Sequence, residues 1–362
     1  MISRTATLLS MVCVCVAAAS QPPTSTTDDR LATWLKRFPQ ADTDGDGVLT
    51  QKEAISYRDR IKSEREATSK TERRDAAKRT KPSDEDVAYG PHPRNRFDVY
   101  LPESSDHATA PFPLLVYFHG GGFVAGDKRS FDARPYLEHG YAVVSGNYRF
   151  VDGAETLSPI PMHDAARLIQ YLRANGDRWN LNTDRIAVSG SSAGAVITLW
   201  IGYHNDMANP SSDDPIERQS TRVQCLVPIN GPTNLDPEWI TPNMGGPKHI
   251  HGSFPKMFGA PVTDSNRSEV RRRIVETSPV THASADDPPT LLIYSGANEG
   301  IPLPESATTG KLIHHAFFGE HLASRLKSLH VVHEFSPATD PRKNGSRSIL
   351  AWLDQHLPPG EE

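Results

Sequence analysis

Residues 190–194 read Gly-Ser-Ser-Ala-Gly, which matches the pattern G-x-S-x-G. An apolar run typical of a strand precedes this segment, and an apolar run typical of a helix follows it. In a strand–turn–helix context the turn is so tight that small residues must flank the serine, and its hydroxyl is lifted out of the sheet. The sequence therefore predicts Ser192 as a nucleophile, with the N–H of Ala193 facing a developing oxyanion.

Residues 119–123, His-Gly-Gly-Gly-Phe, form a second motif directly after a predicted strand. A glycine run lets backbone N–H groups approach a substrate carbonyl closely, since no side chain stands in the way. Gly121 and Gly122 are therefore the predicted oxyanion donors. His119 is interpreted as a residue that stabilises the turn rather than as a base.

Residues 42–53 have the spacing of an EF-hand calcium loop. Carboxylates stand at positions 1, 3 and 5, Gly47 permits the sharp turn at position 6, and a glutamate stands at position 12. Calcium prefers six to eight oxygen ligands, and we predict that they come from Asp42, Asp44, Asp46, the carbonyl of Val48, Thr50 and Glu53. The alternative is an acidic loop that binds no metal.

The periodicity around these motifs indicates an α/β fold. Short apolar runs typical of strands cover residues 97–101, 114–118, 142–145, 186–189, 224–229, 291–294 and 331–335. Helical patterns cover residues 163–174, 315–329 and 347–357. Strands that alternate with helices predict a doubly wound, mostly parallel sheet, with sites at the carboxyl ends of its strands.

The amino-terminal part has a different composition. Residues 1–20 have the short positive start, apolar stretch and small residues of a secretory signal peptide, with an uncleaved anchor as the alternative. An α-helical EF-hand module is predicted at 21–61, a charged linker at 62–85, and the catalytic domain at 86–362. A secreted or periplasmic location follows, and no stable membrane span is predicted.

Composition narrows the class of protein. The 362 residues carry a net charge of −5, which gives no indication of a nucleic-acid partner. Two of the three cysteines, Cys13 and Cys15, lie in the predicted signal peptide. The remaining one, Cys225, lies in an apolar run and is interpreted as an inert core residue, so no internal disulfide is expected.

Several segments together resemble a known family. They are residues 113–128 (PLLVYFHGGGFVAGDK), 147–149 (NYR), Asp164, 185–194 (RIAVSGSSAG) and 278–294 (SPVTHASADDPPTLLIY). They are similar to the hormone-sensitive-lipase-like and feruloyl-esterase-like branches of the α/β-hydrolase fold.

The resemblance covers roughly residues 86–360. It implies an eight-stranded sheet and hydrolysis of carboxylic esters through an acyl-serine. It also implies a structural role for Asp164, which would brace the nucleophile region, and a cap over the acyl pocket formed by the insertion at about 232–276.

The sequence departs from that family where the acid and the base are expected. Glu299 stands about where the family has its aspartate, but the segment 337–344, where the histidine is expected, contains none. A triad is defined by geometry rather than by chain order. We therefore predict that His315, or else His314, is the base and that Asp340 or Glu299 orients it.

Two other pairs of histidines are given other interpretations. His333 and His356 are expected to be structural. A metal site of His249 and His251 is not favoured, because cysteine and carboxylate ligands at suitable spacing are lacking nearby.

These observations favour an exported serine carboxylesterase that acts on a small-molecule or carbohydrate-linked ester. It needs no cofactor for catalysis and carries Ca²⁺ in its amino-terminal module. One alternative is a hydrolase-fold binding protein that lacks the usual catalytic histidine. A serine peptidase of related fold is a third hypothesis, and the sequence contains no gating domain to support it.

Overall fold

The computed structural model of the chain describes residues 23–62, 80–103, 110–247, 250–295, 300–337 and 341–357. The predicted signal peptide and most of the predicted linker lie outside these residues. The chain divides into two compact units, Met1–Lys78 and Arg79–Glu362.

The first unit is a helix–loop–helix. Helix α1 spans Asp29–Arg37, a 3₁₀ turn follows at Pro39–Ala41, and helix α2 spans residues 51–62. Asp28 caps α1 by accepting a hydrogen bond from the N–H of Arg30 at 2.8 Å. Partly buried apolar side chains of both helices pack against a small core of Ala41, Leu49, Ala54 and Tyr57. The range 21–61 predicted for the EF-hand module lies within this unit.

The second unit is built on one sheet of eight strands in the order β1-β2-β4-β3-β5-β6-β7-β8. Strands β1 and β2 pair antiparallel to their neighbours, whereas all strands from β4 to β8 along this order are parallel. The strands are β1 Asp84–Ala88, β2 Arg96–Tyr100, β3 Phe112–Phe118, β4 Ala142–Gly146, β5 Leu181–Ser191, β6 Cys225–Ile229, β7 Thr290–Ile293 and β8 His333–Ser336. The prediction of a mostly parallel α/β sheet is confirmed.

Alternate residues of a central strand supply the cores on the two faces of the sheet. Leu114, Val116 and Phe118 of β3 belong to one buried cluster, and Leu115 belongs to the other. Side chains of a strand point alternately to opposite faces, so a run that is apolar throughout requires cover on both sides. This explains why β3 is a continuous apolar segment in the sequence.

Helices cover both faces of the sheet and also form much of the segment between β6 and β7. They are α3 Arg134–Leu137, α4 Ile160–Asn175, α5 Ala193–Tyr203, α6 Pro237–Met244, α7 Phe254–Phe258, α8 Ser268–Thr277, α9 Thr309–Ile313, α10 Phe317–Ser328 and α11 Pro341–His356. Helices α6 to α8 lie in the stretch at about 232–276 that is expected to form a cap. No helix within the described ranges is both long enough and apolar enough to cross a membrane.

The structure differs from the sequence-based expectation at the first strand. Strand β1 was not predicted, and it begins at Asp84, two residues before the predicted start of the domain at 86. Its sequence, Asp-Glu-Asp-Val-Ala, is mostly charged, and of its residues only Val87 is buried. An edge strand needs little apolar surface, because the ladder to β2 supplies its backbone hydrogen bonds.

Candidate active site

A strained turn presents Ser192 at the junction of β5 and α5. Its backbone has φ 54° and ψ −113°, a conformation that non-glycine residues rarely adopt. A Cβ at Gly190 would lie 2.3 Å from the carbonyl oxygen of Gly194, and a Cβ at Gly194 would lie 2.0 Å from that of Phe118. Both flanking glycines are therefore required by the close approach of neighbouring backbone.

The glycine run after β3 passes beside this turn. A Cβ at Gly120 would lie 2.9 Å from the carbonyl oxygen of Ser191, and Gly121 has φ 120°. Gly122 and Ala193 both line the same cavity as Ser192, whereas Gly121 is not one of its lining residues. Since Ala193 opens α5, its N–H belongs to the first turn, where helical N–H groups lack intrahelical acceptors.

His119 holds the base of the glycine run. It is buried, stacks on Tyr148 with a ring-centroid distance of 4.4 Å, and lies with Nδ1 2.7 Å from the carbonyl oxygen of Gly120. The hydroxyl of Tyr148 donates to the carbonyl oxygen of His119 at 2.7 Å. Burial lowers the pKa of His119 to about 4, so the ring is neutral at pH 7. These contacts fit the turn-stabilising role expected for this residue.

The imidazole beside the serine belongs to His314. Its Nε2 lies 2.9 Å from Oγ of Ser192, although 122 positions separate the two residues in the chain. Thr308 caps α9 by accepting from the N–H of Lys311, and His314 follows directly after that short helix. The ring therefore reaches the serine from the connection between β7 and β8, not from the loop after β8.

The structure thus corrects the preference for His315. Nδ1 of His315 accepts a hydrogen bond from the N–H of Phe317 at 3.1 Å, at the start of α10, and the residue is buried. Adjacent residues at the end of a helix point in different directions, and here only the first of the pair is hydrogen-bonded to the serine. Glu299 and Asp340, the two predicted orienting acids, lie outside the described residues.

The environment of His314 favours its neutral form. Burial lowers the pKa of His314 below the usual value for imidazole, and the nearby ring of His251 lowers it further. A neutral ring has a lone pair available for a proton. Within the described part of the chain no carboxylate is hydrogen-bonded to His314.

A second histidine, His251, lies at the same cavity and comes from the cap segment. His251 packs over the glycine run, since a Cβ at Gly122 would lie 2.6 Å from its Cε1. Its Nδ1 lies 2.5 Å from Oγ of Ser253. From the sequence, His251 was weighed only as a metal ligand with His249, which lies outside the described residues. Spacing along the chain gave no signal that this ring would lie near Ser192.

The cavity beside Ser192 is apolar on its other sides. Among the described residues that line it, the polar side chains are those of Ser192, His251 and Ser253. The remaining lining side chains come from the glycine run, α5, the loop after β6, the cap segment, α9 and α10: Phe123, Ala193, Val196, Pro232, Leu235, Ile240, Ile250, Phe254, Met257, Phe258, Ile313 and Phe318. Such a surface fits an apolar chemical group and disfavours a charged one.

An ion pair braces the segment after β4. The carboxylate of Asp164, on α4, is almost fully buried and accepts hydrogen bonds from the backbone N–H and the guanidinium of Arg149. The distances lie between 2.6 and 3.0 Å. This geometry fits the structural role that the resemblance implies for Asp164.

The acidic loop of the first unit brings its carboxylates together. Oxygens of Asp42, Asp44 and Asp46 all lie within 4.8 Å of one another. Glu53 spans the two ends of the loop, because its Oε1 accepts from the N–H of Thr43 and its Oε2 from the N–H of Thr50, both at 3.0 Å. These hydrogen bonds lower the pKa of Glu53 to about 2, so the carboxylate is charged.

The chain is similar in sequence to known esterases. A sequence model of the BD-FAE family matches residues 97–312. A probable carboxylic ester hydrolase of Mycobacterium tuberculosis, LipM, is 27% identical over 236 residues, which cover 62% of this chain and 50% of LipM. A probable isoprenylcysteine alpha-carbonyl methylesterase of Arabidopsis thaliana is 26% identical over 221 residues, which cover 60% of this chain and 44% of the methylesterase. The chain thus spans about half the length of these curated relatives.

Solved structures show the same fold. The acetyl ester-xyloside bifunctional hydrolase of Caldicellulosiruptor lactoaceticus has a TM-score of 0.55 at 22% identity, covering 72% of this chain and 87% of that one. The thermophilic esterase Est2 of Thermogutta terrifontis has a TM-score of 0.56 at 17% identity, covering 78% of this chain and 96% of that one.

Proposed function

Since the chain belongs to the BD-FAE family and has an α/β-hydrolase sheet, we propose that it is a carboxylic ester hydrolase that works through an acyl-Ser192 intermediate. The observation that carries the proposal is the 2.9 Å separation between Oγ of Ser192 and Nε2 of His314. A hydroxyl is a poor nucleophile without a base within hydrogen-bonding reach, and this ring meets that requirement.

The proposed reaction has two stages. As Oγ of Ser192 attacks the ester carbonyl, its proton passes to Nε2 of His314, and the carbonyl oxygen becomes an oxyanion. Gly122 and Ala193 line the cavity beside Ser192, and their backbone N–H groups are the proposed donors to that oxygen. The imidazolium then protonates the departing alcohol, which leaves an acyl-serine. Water activated by the same ring releases the carboxylic acid and restores the hydroxyl.

This arrangement argues against the binding-protein hypothesis. That hypothesis depended on the missing histidine in the segment 337–344. The ring of His314 lies at the serine without any residue of that segment. Glu299 and Asp340 remain predictions for the orienting acid, and Gly121 remains a prediction for the oxyanion hole.

Inactivation by a fluorophosphonate tests the nucleophile. The wild type should be labelled and should hydrolyse p-nitrophenyl acetate, whereas Ser192→Ala should do neither. Ser191→Ala is a matched control, because Ser191 is the adjacent residue with the same side chain and ends β5. Loss of labelling in Ser191→Ala with retention in Ser192→Ala would refute the assignment.

The apolar lining of the cavity favours an ester whose acyl group is apolar. We expect p-nitrophenyl butyrate to be hydrolysed at least as fast as the acetate and a negatively charged hemisuccinate ester to be a much poorer substrate. An ionised carboxylate would lose its hydration in this cavity, because the described residues that line it include no lysine or arginine. Equal kcat/KM values for butyrate and hemisuccinate would contradict this. The alcohol, small or carbohydrate-linked, stays a prediction.

We propose that residues 42–53 form an EF-hand that binds Ca²⁺. The clustered oxygens of Asp42, Asp44 and Asp46 fit a hard cation, and Val48, Thr50 and Glu53 would complete its ligand set. When bound, the ion would neutralise the repulsion among these carboxylates. The catalytic steps proposed for Ser192 and His314 require neither this loop nor a cofactor.

We also propose that the protein is exported to the periplasm or the medium after cleavage of residues 1–20. Mass spectrometry of the protein expressed from its full gene should give a mature chain that begins near Gln21. A membrane-bound product that retains Met1 would refute this and would favour the uncleaved anchor.

A further inference from the structure

Two histidines and a glutamate meet at the end of α5 that lies away from Ser192. One ring nitrogen of His204, one of His282 and a carboxylate oxygen of Glu276 all lie within 4.8 Å of one another. His204 directly follows α5, Glu276 lies in the last turn of α8, and His282 follows the 3₁₀ turn Pro279–Thr281. Since α5 has 11 residues, about 16 Å of helix separates the cluster from the serine.

Backbone carbonyls fix the orientation of both rings. Nδ1 of His204 lies 3.1 Å from the carbonyl oxygen of Asn205, and its Nε2 lies 3.5 Å from Oε1 of Glu276. Nε2 of His282 lies 2.7 Å from the carbonyl oxygen of Glu276. In neutral rings these bonds leave Nε2 of His204 and Nδ1 of His282 as lone-pair nitrogens. A hydrogen bond from one ring nitrogen to a carbonyl is the arrangement that orients metal-ligating histidines.

The site is open to solvent but anchored in the core. The side chains of His204 and Glu276 are 26% and 35% exposed, so an ion and its waters can reach them. Beneath them, the fully buried Trp200 stacks on His204 at 4.4 Å and donates its Nε1–H to the carbonyl oxygen of Glu276 at 2.9 Å. The indole thus contacts the ring of His204 and the backbone of Glu276.

From this geometry we propose that His204, Glu276 and His282 bind a divalent transition-metal ion such as Zn²⁺. Two imidazoles and one carboxylate form a donor set suited to Zn²⁺ or Ni²⁺, whereas Ca²⁺ and Mg²⁺ prefer oxygen ligands alone. Water fills the remaining coordination position. The bound ion connects the end of α5 to α8 and the following turn, where the chain returns from the cap segment to β7.

Zn²⁺ binding to the full-length protein, measured by calorimetry in excess Ca²⁺ to saturate the acidic loop, tests the proposal. Glu276→Gln removes the charge but keeps the backbone carbonyl that accepts from Trp200 and contacts His282. His204→Phe keeps an aromatic ring against Trp200 but removes the ligating nitrogens. Each should weaken Zn²⁺ binding by more than about tenfold, since even changes in outer-shell partners cost about 10- to 100-fold. His139→Ala, which alters an exposed histidine elsewhere, should bind as the wild type does.

Tryptophan fluorescence provides a second readout that is independent of enzymatic activity. Because the ring of His204 stacks on the indole of Trp200, Ni²⁺ bound to His204 should quench the emission of the wild type at the same ion concentration that saturates binding. The quenching should be lost in His204→Phe, with circular dichroism confirming that the variant is folded. Equal Zn²⁺ affinity and equal quenching in wild type, Glu276→Gln and His204→Phe would overturn the proposal.

Discussion

Replacement of His314 by alanine tests the proposed mechanism most directly. The ring is half-buried and is hydrogen-bonded to Oγ of Ser192 at 2.9 Å. Without it, the serine proton has no acceptor at that distance among the described residues. Loss of the histidine in a serine protease triad lowers kcat by about 10⁶, which corresponds to about 8 kcal/mol of transition-state stabilisation. A p-nitrophenolate leaving group needs no proton, so we expect a smaller loss here, of at least about 10³-fold.

His315 supplies the matched control, because it is the adjacent residue of the same type. Its Nδ1 accepts from the N–H of Phe317, and asparagine can preserve an acceptor there but not a titratable base. We expect His315→Asn to lower the melting temperature modestly and to leave kcat within about tenfold of wild type, since loss of a terminal helix contact costs about 1 kcal/mol. Stopped-flow measurement of the acylation burst in both variants separates chemistry from product release. A burst that survives in His314→Ala and disappears in His315→Asn would refute the reasoning.

Three further predictions follow from the charges and pKa values. Burial lowers the pKa of His314, and only the neutral ring accepts a proton, so kcat/KM should fall at a pH below about 6.5; a midpoint above that value would contradict this. Asp164→Asn should destabilise the protein by about 3 kcal/mol in urea unfolding, because it leaves Arg149 without its buried partner. Glu53→Gln should weaken Ca²⁺ binding more than about tenfold, whereas Asp59→Asn, an exposed acid on α2, should not; equal titrations would refute the loop assignment.

The strands of the sheet were predictable because their signal is local. Every strand from β2 to β8 overlaps a predicted apolar run. The signal is clearest in the buried parallel strands at the centre of the sheet, such as β3, because these must be apolar on both faces. Strand β1 was missed because it lies at the edge of the sheet, where charged side chains meet solvent and leave no such pattern.

The surroundings of the serine were predictable for a similar reason. The glycines at 190 and 194 are fixed by contacts with backbone that any such turn creates. The positions of the two imidazoles were harder to predict, because they depend on how segments distant in the sequence fold back to the serine. His251 comes from the cap segment and His314 from the connection between β7 and β8, and neither segment has a recognisable motif around its histidine.

The sequence by itself determined the α/β class, the serine on its tight turn and the glycine run beside it, because each depends on residues close together in the chain. It also determined the oxygen spacing of the acidic loop. Only the tertiary structure decided between His314 and His315, and only it brought His204 to Glu276 and His282. Those choices depend on side-chain direction at helix ends and on crossings between elements far apart in sequence, which no local pattern encodes.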